Sequence, residues 1–158
     1  MIDPTLFKQA LSRFPSGVTV IAARHAGEVR AMTVSAFSSV SLSPPLVLAC
    51  VDLRAATLPL IRAAQRFGVS VLAADQEALS SRFAGFGDAE PTWDEIGPSA
   101  VLAGALAQLD CAVHQIVEAG DHAVVIGRVE GARVAEGEPL AYWRGGYRTI
   151  CGGTTVPK

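Results

Sequence analysis

Two hydrophobic rhythms alternate along this chain. Leu6, Phe7, Ala10, Leu11 and Phe14 recur at three- and four-residue spacing, the stripe of one helical face. Asp3-Pro4 opens that helix with a carboxylate at the N-cap and proline in the first turn, and Pro15-Ser16-Gly17 stops it. From Val18 to Ala22 the apolar positions become continuous, the mark of a buried strand. His25-Ala26-Gly27 then turns the chain into a second strand through Ala31-Met32-Thr33-Val34, which predicts a hairpin. Ser35 to Pro45 holds five serines and two prolines, too polar for a core strand, and reads as a loop presenting hydroxyls and backbone N–H groups.

Leu46 to Val51 returns to strand. Thr57 is placed to cap a short helix toward Ala64, Phe67 to Ala73 is another apolar strand, and Asp75 is placed to cap a helix through Phe83. Gly85 to Pro98, rich in Gly, Pro and acids, reads as a long surface loop. Strand candidates follow at 102–117, 122–134 and 139–143, divided by the tight turn Ala119-Gly120-Asp121 and by Gly137. Helices are short and do not alternate with strands as a doubly wound sheet requires. The fold expected is mainly β, a barrel with peripheral helices, in one domain over residues 1–158.

Composition narrows the function. Half the residues are apolar and the mean hydropathy is +0.35, high enough to predict that apolar surface is buried against a second copy, a homodimer. A net charge of -2 gives no basic footprint for nucleic acid. Lys8 and Lys158 are the only lysines, so other cationic contacts fall to arginine, which suits planar and phosphate partners. Cys50, Cys111 and Cys151 are odd in number, far apart and without zinc-ligand spacing, so neither a disulfide framework nor a metal site is expected. With no apolar run long enough for a bilayer and no leader pattern in Met1-Ile2-Asp3-Pro4, the expected location is the cytoplasm, away from membranes.

Familiar catalytic signatures are absent, among them the phosphate-binding G-x-x-x-x-G-K-[ST] and a strand followed by G-x-G-x-x-G. A dinucleotide would therefore need local N–H donors or arginines. Ser80-Ser81-Arg82-Phe83 offers two hydroxyls and a guanidinium able to hold a phosphate. Arg144-Gly145-Gly146-Tyr147 joins a planar cation, two residues without Cβ and an aromatic ring, which permits close approach and stacking by a nucleotide. A helix start at Thr57 would favour a phosphate through free N–H groups. His122 is the titratable group of most interest, while His25 and His114 take no role, and Tyr142 and Trp143 read as core or interface residues.

The segment Ala31-Met32-Thr33-Val34-Ser35-Ala36-Phe37-Ser38-Ser39-Val40-Ser41-Leu42-Ser43-Pro44-Pro45-Leu46-Val47-Leu48 resembles the flavin-binding signature of the short-chain flavin reductases. The resemblance extends to Phe14-Pro15-Ser16-Gly17-Val18-Thr19-Val20, Phe67 to Leu72, Leu79 to Ala84, Gly120-Asp121-His122 and Tyr142 to Tyr147. It implies an FMN-binding split β-barrel, dimeric, that reduces FMN, FAD or riboflavin with NADH or NADPH and hands reduced flavin to a separate oxygenase. By the same resemblance Thr33, Val34 and Ser35 face the isoalloxazine, mainly through backbone groups, and Ser38 and Ser39 contact the ribityl chain or phosphate. Cys50, Val51, Asp52 and Thr57 approach the flavin, and Ser80, Ser81, Arg82 and Phe83 hold its phosphate. His122 then faces the nicotinamide as the catalytic-site residue, orienting it more than moving protons, and Arg144, Gly145, Gly146 and Tyr147 line the nucleotide site. Many relatives carry an acidic residue or serine where Gly146 stands, so contact there departs from the pattern. Two other readings stay open: a flavoprotein with firmly held FMN passing electrons to a ferric or other acceptor, and a non-enzymatic flavin-binding protein.

Overall fold

In the computed structural model, which describes residues 1–150, Asp3 caps the first helix: its Oδ1 accepts the Leu6 N–H at 3.0 Å and α1 runs Pro4–Leu11. Cys151 and Lys158 lie outside the described residues. The apolar stripe of α1 is present, but no residue of the helix is buried, and Leu6, Phe7 and Leu11 are 55%, 51% and 57% exposed.

The strands are β1 (Ser16–Gly17), β2 (Thr19–His25), β3 (Glu28–Val34), β4 (Phe37–Leu42), β5 (Pro45–Asp52), β6 (Arg66–Val71), β7 (Trp93–Ile96), β8 (Ser99–Leu102), β9 (Ala107–Ala119), β10 (His122–Val134), β11 (Ala141–Trp143) and β12 (Gly146–Arg148). Helix α2 spans Thr57–Ala64 and α3 Glu77–Phe83, the latter entered through a short 3-10 turn at Ala74–Gln76. Seven strands form one antiparallel sheet in the order β3-β2-β6-β9-β10-β5-β4. Strands β3 and β4 are therefore opposite edges, yet only Ser35 and Ala36 join them. Val34 and Phe37 are three Cα steps apart, a reach of at most about 11 Å, so the sheet must roll until the joined ends of its two edges lie close together. The Cys50 N–H donates to the Ala36 carbonyl at 2.9 Å, one rung beyond the β4–β5 ladder, and among the described residues no ladder pairs β3 with β4 or β5, which leaves a seam beside β3. This is the expected mainly β split barrel with peripheral helices.

The interior is filled from the alternating faces of the strands and from α2, with Ile21, Val51, Phe67, Val69 and Val125 and the helix residue Ile61 all 0–1% exposed. A smaller cluster of Val18, Val20, Leu72, Leu102 and Leu140 lies under the hairpin β11–β12, which adds to β1 as a separate three-stranded sheet. Gly68 lets the β7–β8 hairpin close over β6: a Cβ there would stand 2.2 Å from the Ala100 carbonyl oxygen.

Several expectations need correction. The Ser35–Pro45 segment is not a loop throughout, because Phe37–Leu42 pairs with β5 as an edge strand, bulged between Ser39 and Ser41. An edge strand needs no second apolar neighbour, so serines pointing to solvent are compatible with a full ladder. Thr57 does not cap α2. Ala56 holds that position and Thr57 is 2% exposed. Asp75 does not cap α3 either; it lies inside the 3-10 turn, where buried Gln76 accepts the Ala73 N–H through Oε1 and donates to the Ala103 carbonyl. The acidic stretch before Pro98 contains β7, and the strand expected from residue 102 divides into β8 and β9 with a left-handed turn at Gly104 (φ 75°).

Candidate functional site

The seam beside β3 opens into a cleft of about 400 Å³. Thr33 and Ser35 form its strand wall, because residues two apart on a strand share a face. Helix α3 packs against β3 to form the opposite wall, fastened by Thr33 Oγ1 donating to the Ser80 carbonyl at 2.7 Å. The β11–β12 turn closes the third side with Gly145, Gly146 and Tyr147. Gly145 holds φ +76°, and a Cβ there would meet nothing within 4 Å, so this turn is open on its cleft side.

Tyr147 ties the turn to the helix. Its hydroxyl donates to Ser80 Oγ at 2.8 Å and lies 3.4 Å from Ser81 Oγ, so the three hydroxyls form one connected group. Ser80 is 0% exposed, and this contact satisfies its side chain where water cannot. Residues of the predicted flavin strip, of the predicted phosphate segment and of the predicted nucleotide segment thus meet at a single cleft.

Other predicted residues fall elsewhere. Val34 turns its side chain into the core and its carbonyl accepts from buried Thr19 Oγ1 at 2.6 Å. Arg82 and Phe83 do not share the cleft of Ser80 and Ser81. Successive helical residues rotate by about 100°, which carries them to a neighbouring cleft of about 550 Å³ with Arg30, Ala31 and Trp93. Ser38 and Ser39 are exposed on β4, where Ser38 Oγ donates to the Ser39 carbonyl at 2.9 Å. Arg144 stacks on Trp143, 4.7 Å from the ring centroid, and its side chain does not line the cleft.

Cys50, Val51, Asp52 and His122 gather at the end of β5 and the start of β10, where Asp52 and His122 are register partners. Val51 and Thr57 are buried, Cys50 half-buried. Asp52 is gripped by Arg54, whose Nη2 donates to Oδ2 at 2.8 Å and Nε to Oδ1 at 3.1 Å, and the fork holds its carboxyl well below the usual range. The Asp121 carboxylate lies 2.7 Å from His122 Nδ1, and that hydrogen bond lowers its pKa. His122 does not line the 400 Å³ cleft. It connects to it through β5, because Cys50, two residues before Asp52, bonds to Ala36 next to Ser35.

Sequence reasoning missed Val18, Ala84, Phe86 and Tyr142 as lining residues. Tyr142 was expected in core or interface but is 38% exposed and meets Tyr147 edge to face at 5.6 Å. Phe86, 82% exposed between two glycines, carried a signal in that an aromatic ring in a polar loop has no folding reason to be there.

Comparison with known proteins matches these features to one family. The model of the flavin reductase like domain matches residues 11–151. The reductase component of 4-hydroxyphenylacetate 3-monooxygenase from Thermus thermophilus is 46% identical over 145 residues, covering 91% of this chain and 95% of that protein. An NADH-dependent flavin reductase from a Rhodococcus species is 40% identical over 157 residues, covering 94% and 88%. Among solved structures, flavin reductase PheA2 in its native state superposes with a TM-score of 0.93 at 38% identity, covering 96% of this chain and all of that one. With its cleft at the seam of a rolled sheet, this chain belongs to the flavin reductase-like family.

Proposed function

We propose that this protein uses NADH or NADPH to reduce a flavin, FMN or FAD, and supplies the reduced flavin to a separate monooxygenase component, acting as a homodimer in the cytoplasm. The observation that carries this reading is the meeting of Thr33 and Ser35, Ser80 and Ser81, and Gly145 to Tyr147 around one cleft. A volume near 400 Å³ falls in the range of small-molecule sites, and hydroxyls set among aromatic and apolar groups suit a planar, hydrogen-bonding ring system. Bound flavin supplies the acceptor for a hydride from reduced nicotinamide.

The chain's own residues have positional work. Thr33 and Ser35 offer hydroxyls and backbone groups along the strand wall, and Phe86, Tyr142 and Tyr147 add aromatic surface to the cleft. Hydride transfer needs no protein acid, so holding two rings together accounts for most of the catalysis. His122, which lies outside this cleft at the start of β10, serves as a donor that orients the nicotinamide carboxamide. The dimer is supported by α1, whose exposed Leu6, Phe7 and Leu11, with Phe14 at 77% exposure, form an apolar face that a second copy would cover. The test follows NADH and NADPH oxidation with FMN, FAD and riboflavin under anaerobic conditions. Oxidation that depends on added flavin supports the reading, and none with any flavin removes it.

A further inference from the structure

Strand β3, helix α3 and the β11–β12 turn wall three sides of the 400 Å³ cleft, and the side they leave open is its mouth. Phe86 stands there, because it lines the cleft and is nevertheless 82% exposed. Among the described residues it joins neither apolar cluster and pairs with no aromatic ring or guanidinium. Phe83, by contrast, packs in the smaller cluster and against Trp93. Folding uses one ring of this segment and leaves the other at the cleft.

The backbone beneath that ring is fixed. Past the end of α3 the Gly85 N–H donates to the Arg82 carbonyl at 3.0 Å and the Phe86 N–H to the Ser81 carbonyl at 2.9 Å. Gly85 holds φ +90°, a conformation that suits glycine, and so turns the chain back over the helix end. Phe86 is therefore a ring on a fixed post, which moves by rotation about its own side-chain bonds. Exposed side chains rotate in picoseconds to nanoseconds, far faster than enzymes turn over. Such a ring alters binding equilibria and leaves the chemical step alone.

We propose that Phe86 is a cap on this cleft: its ring closes over the open face of a flavin bound there and swings aside when a nicotinamide takes the same face. The inference rests on the flavin reading of the cleft and adds a positioning residue that lies outside every motif of the sequence. A closed cap holds flavin and excludes nicotinamide, so its two effects are tied. If K is the ratio of closed to open caps in the flavin complex, the cap tightens flavin by a factor of one plus K and weakens nicotinamide by that same factor. The usual strength of an aromatic pair makes the factor about two- to tenfold.

The test compares the purified full chain with Phe86→Ala and Phe86→Tyr, which the exposure of this side chain makes harmless to folding. FMN affinity is measured by equilibrium fluorescence titration without nucleotide, and nicotinamide affinity as the NADH concentration that half-saturates anaerobic flavin reduction. Phe86→Ala should weaken FMN by about fivefold and lower the half-saturating NADH by about the same factor, with the maximal rate within about twofold. Phe86→Tyr keeps the ring and should hold both constants within about twofold. FMN affinity that Phe86→Ala leaves unchanged, or FMN and NADH affinities that fall together, overturns the cap and leaves the reductase reading intact. A changed sedimentation coefficient with both affinities unmoved would place a second copy over the ring and overturns it equally. If the unaltered chain binds no FMN, the flavin reading fails and the cap with it.

Discussion

Replacing Tyr147 with phenylalanine removes a single hydroxyl from the join between α3 and the β11–β12 turn. The ring keeps its packing, edge-on to Tyr142 at 5.6 Å and against the cluster of Val18, Leu72 and Leu140. What is lost is the 2.8 Å donation to Ser80 Oγ, a group with no exposure to water. A net hydrogen bond contributes about 0.5–1.5 kcal/mol, and stranding a buried polar partner costs about 1–3 kcal/mol. Tyr147→Phe is therefore expected to destabilise the protein by about 1–2 kcal/mol, and Ser80→Ala by about 1 kcal/mol. The double variant leaves neither group stranded, so its cost should fall short of the sum by about 1 kcal/mol. Urea unfolding followed by circular dichroism, at one protein concentration for all four proteins, measures the cycle. Costs that add to within about 0.5 kcal/mol would mean the two hydroxyls do not depend on one another, and the account of the cleft's third wall would be wrong.

Three further outcomes are expected. Burial pushes the Cys111 thiol up to about 12, so its neutral form stabilises the fold. With the folded pKa raised, that contribution is complete below the unfolded thiol's pKa of about 8.5–9 and declines as pH rises from there toward 12, at up to about 1.4 kcal/mol per pH unit. Unfolding of wild type and Cys111→Ala at pH 8 to 10.5 under reducing conditions should show the decline flattened in the variant; parallel curves would remove Cys111 as its source. His122→Ala should lower kcat with NADH by about tenfold or more while flavin affinity stays within about twofold, and an unchanged rate would take the histidine out of the site. Phe7→Asp with Leu11→Asp should convert a dimer to a monomer in sedimentation velocity, because two carboxylates on the exposed face of α1 cannot be covered without loss; an unshifted dimer would place the interface elsewhere.

Much of this architecture is readable from one dimension, and the departures have physical causes. The β2–β3 hairpin is legible because apolar continuity and a Gly-containing turn are local signals. The edge strand β4 is not, since the pairing that makes Phe37–Leu42 a strand comes from β5 and leaves Ser38 and Ser39 as polar as a loop. Helix α1 shows the converse: its periodic stripe predicts burial, but among the described residues nothing buries it. At the site, Thr33, Ser35, Ser80, Ser81 and Tyr147, drawn from three separate motifs, line one cleft. The division of Ser80-Ser81 from Arg82-Phe83 depends on helical phase relative to β3, which composition does not encode. Trp93 escapes notice because a hairpin hidden in an acidic stretch carries it to the cleft of Arg82 and Phe83.

Anaerobic stopped-flow mixing of the flavin-loaded protein with NADH deuterated at the transferable position tests the central claim most directly. If the seam cleft holds a flavin with nicotinamide stacked against it, flavin absorbance will bleach in a phase that saturates with NADH and slows severalfold on deuteration. Flavin that stays oxidised while demonstrably bound, or bleaching with no isotope effect at any NADH concentration, would contradict hydride transfer at this cleft.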